Sequence, residues 1–87
     1  MVLHLGGDYI IPVKNILFIL DYGKISENRE NYLFIKNCNT EKIKISKAKT
    51  KSIVFTDFMG KHQMFFSPLS CATLKKRAEK SEKIFKE

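Results

Sequence analysis

Apolar positions along this chain fall into short runs with turn residues between them, a pattern that reads mainly as strands. Val2-Leu3-His4-Leu5 is a short strand. Gly6-Gly7-Asp8 supplies the positive φ of a tight hairpin turn, and Tyr9-Ile10-Ile11 returns. Pro12 has no backbone donor, so it marks an edge or a strand end. Ile16-Leu17-Phe18-Ile19-Leu20 is apolar at every position, which predicts a strand covered on both faces. Asp21-Tyr22-Gly23-Lys24 is expected to be a turn. Ser26 is the expected cap of a helix with Glu27 and Glu30 in its first turn, Leu33, Phe34 and Ile35 as its apolar patch, and Asn37 to Asn39 as its stop.

In the second half, Ile43 and Ile45 alternate with Lys42 and Lys44, a weak strand leading into a loop. Ser52-Ile53-Val54-Phe55-Thr56 is a clear strand. A turn containing Gly60 follows, and Gln63-Met64-Phe65-Phe66-Ser67 pairs back as its hairpin partner. Ser67-Pro68 ends that strand. Ser70 caps a second helix from Cys71 towards Phe85, with Leu74, Ala78, Ser81 and Phe85 on one face. The expected class is α+β: a small, mostly antiparallel sheet of short strands with two helices, one of them C-terminal.

Eighty-seven residues make one domain, residues 1–87. A chain this short buries only about 60–65% of the surface that it exposes when unfolded. Metals, disulfides or self-association commonly stabilise such chains. Cys38 and Cys71 form no CxxC pair and have no histidine at zinc-ligand spacing, so two free thiols are expected, with no metal and no cofactor. Self-association is left, and it suits ten aromatic residues around so small an interior.

Catalysis requires converging groups. His4 lies in a strand, His62 flanks a turn, and the acidic residues are scattered. Gly6-Gly7-Asp8 lacks the further glycines and the following helix of a phosphate loop. The sequence therefore predicts a protein that is not an enzyme and has no small-molecule substrate. The longest apolar run is five residues, too short for a membrane span, and no signal peptide is visible, so a cytoplasmic location is expected. Ser81 interrupts the apolar face of the second helix, which argues against a membrane partner.

The net charge of +7 is unevenly placed. Residues 1–40 hold four basic and four acidic side chains, whereas residues 41–87 hold twelve basic and five acidic ones. A localised excess of this kind points to a polyanion such as DNA. Lys42, Lys44, Lys47, Lys49 and Lys51 occur with no intervening acid. Were the segment extended, Lys47, Lys49 and Lys51 would project to one side and track a phosphate backbone. Lysine offers point charges, which suit backbone contact more than base reading. Lys75-Lys76-Arg77 form a second cluster at the start of the second helix.

Two stretches carry a resemblance. His4-Leu5-Gly6-Gly7-Asp8-Tyr9-Ile10-Ile11-Pro12-Val13-Lys14-Asn15-Ile16 is similar to the start of the RemB-like extracellular matrix regulatory proteins of Gram-positive bacteria. So is Thr50-Lys51-Ser52-Ile53-Val54-Phe55-Thr56, followed by Ser67-Pro68-Leu69-Ser70-Cys71-Ala72-Thr73-Leu74-Lys75-Lys76-Arg77. Residues 22–48 depart from the pattern. RemB-like proteins are related to RemA, an activator of biofilm matrix genes. The resemblance implies ring-like homo-oligomers that bind DNA through repeated basic patches. It aligns Lys49 and Lys51, with Lys47 close by, to arginines that RemA carries just before the central strand, and Lys14 to a polar or basic position of the early strands. A cytoplasmic protein-interaction module with no nucleic-acid role is the alternative, recognisable by an exposed apolar patch near Phe58 or Phe85.

Overall fold

Along the first strands, Leu3, Leu5 and Ile11 are buried while Val2, His4 and Ile10 are exposed, the period-two signature of a hairpin with one covered face. The computed structural model describes residues 1–85, with side chains described through Glu79. β1 (Val2–Gly6) and β2 (Tyr9–Pro12) pair antiparallel, with Gly6 and Gly7 at φ 112° and 54°. A 3-10 turn, Val13–Asn15, leads into β3 (Ile16–Asp21).

The central sheet has four strands in the order β3-β5-β6-β4, with β4 at Glu41–Lys44, β5 at Ser52–Phe58 and β6 at Lys61–Ser67. β3, β5 and β6 are mutually antiparallel, while β4 runs parallel to β6. β5 and β6 meet at Met59-Gly60, both at positive φ (51° and 91°), the two-residue turn whose twist suits a hairpin. The Gly60 amide donates to the Asp57 carboxylate at 2.9 Å.

Alternate residues of β5 serve two different cores. Val54 packs with Leu3, Leu5, Ile11, Phe65 and Leu74, joining the sheet to the β1–β2 hairpin and to α3 (Cys71–Phe85). Ile53 packs with Met64 and Ile35, joining its other face to α1 (Tyr22–Glu27) and α2 (Arg29–Asn37). The result is three layers, and the central strands are apolar on both faces because both are covered. Buried hydroxyls tie the layers together. Ser67 donates to the Leu5 carbonyl at 2.6 Å and accepts from the Leu69 amide at 3.0 Å, and Ser52 donates to the Leu69 carbonyl at 2.7 Å. These bonds give the Ser67-Pro68-Leu69 motif a structural purpose.

Three sequence expectations change. The single helix capped by Ser26 is two helices: the Asp21 carboxylate caps α1 through the Lys24 amide at 3.2 Å, and Asn28, extended at φ −106°, caps α2 through the Asn31 amide at 2.9 Å. Ser26 lies inside α1 and donates back to the Gly23 carbonyl, and residues 22–24 are helical rather than a turn. The described residues thus form three α-helices, not two. Third, β3 is an edge strand. A bulge at Leu17 interrupts its register, and Leu17 and Phe18 are exposed (55% and 47%), not covered on both faces.

Ser70 does cap α3, accepting from the Thr73 amide at 3.1 Å. Leu74 is fully buried and Ala78 packs beside the core; Ser81 and Phe85, assigned to the same face, lie outside the described side chains. Ser70→Ala is expected to cost about 1 kcal/mol, read as a lower denaturant midpoint at constant m-value. An unchanged midpoint would show that the bond contributes nothing.

Candidate nucleic-acid interface

The basic segment is divided by the fold. Lys42 and Lys44 stand in β4 opposite Met64 and Phe66, on the α1–α2 side of the sheet. The Lys42 ammonium donates to the carbonyls of Cys38 and Thr40 and so closes the C-terminal end of α2, where a cation complements the helix dipole. That lysine serves the fold.

Residues 45–51 form the β4–β5 loop, pinned at both ends. The Ile45 amide donates to the Phe66 carbonyl at 3.2 Å and the Lys51 amide to the Ser67 carbonyl at 2.8 Å. The Lys51 carbonyl accepts from the Tyr22 amide at the start of α1 at 3.1 Å. The Ile45 side chain packs against the first core and reaches the glycine tip of the β1–β2 hairpin, where a Cβ on Gly7 would lie 3.3 Å from it. Between the pins the chain arches out. It bends at Lys47-Ala48, where the Ala48 amide donates to the Ser46 hydroxyl. The loop is therefore not the extended row that a spacing of two predicts. Lys47 stands on the bend, and Lys49 and Lys51 follow it towards β5.

Lys47, Lys49 and Lys51 are all exposed. Among the described residues the lysine–carboxylate ion pair is Lys61–Glu41, and His62 approaches Asp57 at 3.8 Å, so none of the three is neutralised by a described neighbour. Three unpaired ammonium groups on an anchored loop present their charge to solvent with little backbone entropy left to lose on binding.

The other basic residues stand on other elements. Lys75 and Lys76 are exposed on α3. Arg77 is exposed too, but its guanidinium donates to the His4 carbonyl at 3.3 Å and helps hold α3 on the hairpin. Lys14 follows β2 at the open end of the hairpin, beside Val2 and Pro12, whereas the arch meets the hairpin at its glycine tip. The fold thus separates Lys14 from the arch by the length of the hairpin, about 15 Å.

One cation escapes sequence reasoning. Lys24 lies on α1, whose first amide is bonded to Lys51, and its charge reaches Cys71 at the start of α3. Burial pushes the Cys71 thiol up, Asp21 adds to that, and Lys24 partly offsets it. Lys24 falls in the electrically neutral half of the chain, so no local charge run marks it.

Cys38 and Cys71 are free thiols. Among the described residues no cluster of His, Cys, Asp and Glu is arranged to hold a metal, and no helix is long and apolar enough to cross a membrane.

The profile of the RemA-like family, described as "Extracellular matrix regulatory protein A-like", matches residues 2–78. That span runs from the first residue of β1 to the Ala78 contact of α3. The chain belongs to the RemA-like family. It is similar to "Extracellular matrix regulatory protein B" of Bacillus subtilis (strain 168), with 33% identity over 79 residues covering 91% of each chain. No solved structure matches it. The RemA-like span includes all three layers, the lysine arch and the Ser67-Pro68-Leu69-Ser70 corner, so residues 22–48, where the family pattern is least evident by eye, are still part of the family's domain.

Proposed function

We propose that this RemA-like protein is a DNA-binding regulator of extracellular matrix genes that acts as a homo-oligomer and catalyses no reaction. The observation that carries this reading is the anchored, unpaired lysine arch at Lys47, Lys49 and Lys51. Lysine ammoniums at this spacing suit phosphates rather than base edges. One subunit offers few such contacts, so oligomerisation supplies the rest. Repeating the arch on several copies converts weak local contacts into avidity. A ring arranges the arches on a common circle, as the resemblance to RemA implies. The name of the Bacillus subtilis relative supports a regulatory role in matrix production.

The test combines light scattering with fluorescence anisotropy on unrelated DNA duplexes at 50 and 200 mM salt. A mass above the monomer, and affinity that falls by orders of magnitude between the two salts with little preference among duplexes, are expected. A protein that binds no duplex even at 50 mM would leave the interaction module as the better reading.

A further inference from the structure

A cavity of about 210 Å³ opens on the α1–α2 side of the sheet, where the first residue of α1, the second half of α2 and strands β4 and β6 meet. Its walls are Tyr22, Tyr32, Ile35, Lys36, Lys42 and Phe66. Three of these are aromatic, two are lysines and none is acidic. Ile35 is buried and gives the cavity an apolar base, whereas Tyr32 and Lys36, one helical turn apart on α2, are exposed. The Tyr22 and Phe66 rings meet edge to face at 6.3 Å, which fixes each against the other. Lys42 donates two of its three ammonium protons to the Cys38 and Thr40 carbonyls, so its charge is held in place and one N–H is left to give. Lys36 takes part in no ion pair among the described residues.

We propose that this cavity binds a nucleotide, with the planar base against Tyr22, Tyr32 and Phe66 and the phosphate at Lys36 and Lys42. The size sets the ligand class. The space is below the roughly 300–1,000 Å³ of a drug-sized site, so it takes a single ring system and leaves the charged group at the mouth. Aromatic walls suit a flat ring, and every base has a π-face to present. Two ammonium groups with no carboxylate among the lining residues match a phosphate monoester, which carries about −1.5 to −2 charge at pH 7, better than a singly charged carboxylate. The site adjoins the lysine arch without using it. The Tyr22 amide holds the Lys51 carbonyl at 3.1 Å and the Phe66 carbonyl holds the Ile45 amide at 3.2 Å, but the lysines of the cavity belong to α2 and β4. Nucleotide binding here is therefore independent of duplex binding by the arch. A free mononucleotide and an unstacked nucleotide of a single strand offer the same chemistry.

The test is an NMR titration of the full chain with adenosine monophosphate, with adenosine and with a single-stranded hexamer of deoxyadenylate. The amides of Tyr32, Lys36, Lys42 and Phe66 should shift saturably with the monophosphate, and adenosine should bind several-fold more weakly. Tyr32→Leu should weaken both by about tenfold, because base–aromatic stacking is lost, and Tyr32→Phe, which keeps the ring, should bind like the wild type. Lys36→Ala should weaken the monophosphate alone, by about two- to fivefold, bringing it close to adenosine. Both side chains are exposed, so folding survives, as unchanged amide spectra away from α2 will show. Tighter binding of the hexamer that Tyr32→Leu removes would identify a single strand as the source of the nucleotide; a hexamer no tighter at these amides than the monophosphate would identify a free mononucleotide. Shifts confined to residues 47–51 and indifferent to Tyr32→Leu would overturn the site, because an anion would then be collecting on the arch. The absence of saturable shifts with all three ligands would overturn it too.

Discussion

Leu74→Ala is expected to lower the unfolding free energy by about 2–5 kcal/mol, the usual cost of deleting a fully buried leucine. Leu74 is the described α3 side chain with no exposure, and it sits in the core shared by the hairpin and the sheet, against Leu3, Leu5, Ile11, Val54 and Phe65. That core is the junction of three elements that are distant in sequence. Its loss leaves a cavity that the surroundings cannot easily fill, because Arg77 and Ser70 hold α3 in place on either side. A domain of this size has roughly 5–10 kcal/mol to lose. Chemical denaturation should therefore show a large fall in midpoint, and hydrogen exchange should show the β1 amides losing protection together with α3. A change under 1 kcal/mol would mean that α3 is not docked on the hairpin.

The second large effect concerns the arch. Lys49→Ala with Lys51→Ala should weaken binding to unrelated duplexes by similar factors. Each lost phosphate contact removes about 0.9 from the slope of log affinity against log salt, so two remove about 1.8 for every subunit engaged. The change multiplies with the number of subunits engaged. The fold should be unaffected, since both side chains are exposed and the bonds that pin Lys51 are made by its backbone. Lys61→Ala is the control: this lysine lies at the far end of the β5–β6 hairpin and is paired with Glu41 at 3.7 Å. It should leave the slope unchanged. A double variant that retains the wild-type slope would reduce the arch to a solvated loop.

Much of the local structure was legible in the residues. Gly6-Gly7 placed the first turn, Ser70 placed the start of the last helix, and the runs Ser52–Thr56 and Gln63–Ser67 placed the two inner strands, because each signal acts within a few residues. The middle of the chain was less legible. Asp21, Ser26 and Asn28 are all good caps, and only the position of α1 against Lys51 and of α2 over Ile53 and Met64 decides which of them is used. Similarly, five consecutive apolar residues in β3 signal burial but not what covers them. The sheet order puts β3 at an edge, and Leu17 and Phe18 face outward.

The lysines divide along the same line. Their number and their concentration in the second half are properties of the sequence, and so is the long-range attraction to a polyanion that follows from them. Which lysines are available is a tertiary matter. Lys42 is spent on the end of α2, Lys14 lies at the opposite end of the hairpin from the arch, and Lys24, from a neutral segment, stands on the helix whose first amide bonds to Lys51. Charge adds up along a chain wherever the chain goes. The direction in which each charge points is set by hydrogen bonds and packing between residues far apart in sequence, and only the folded structure supplies those.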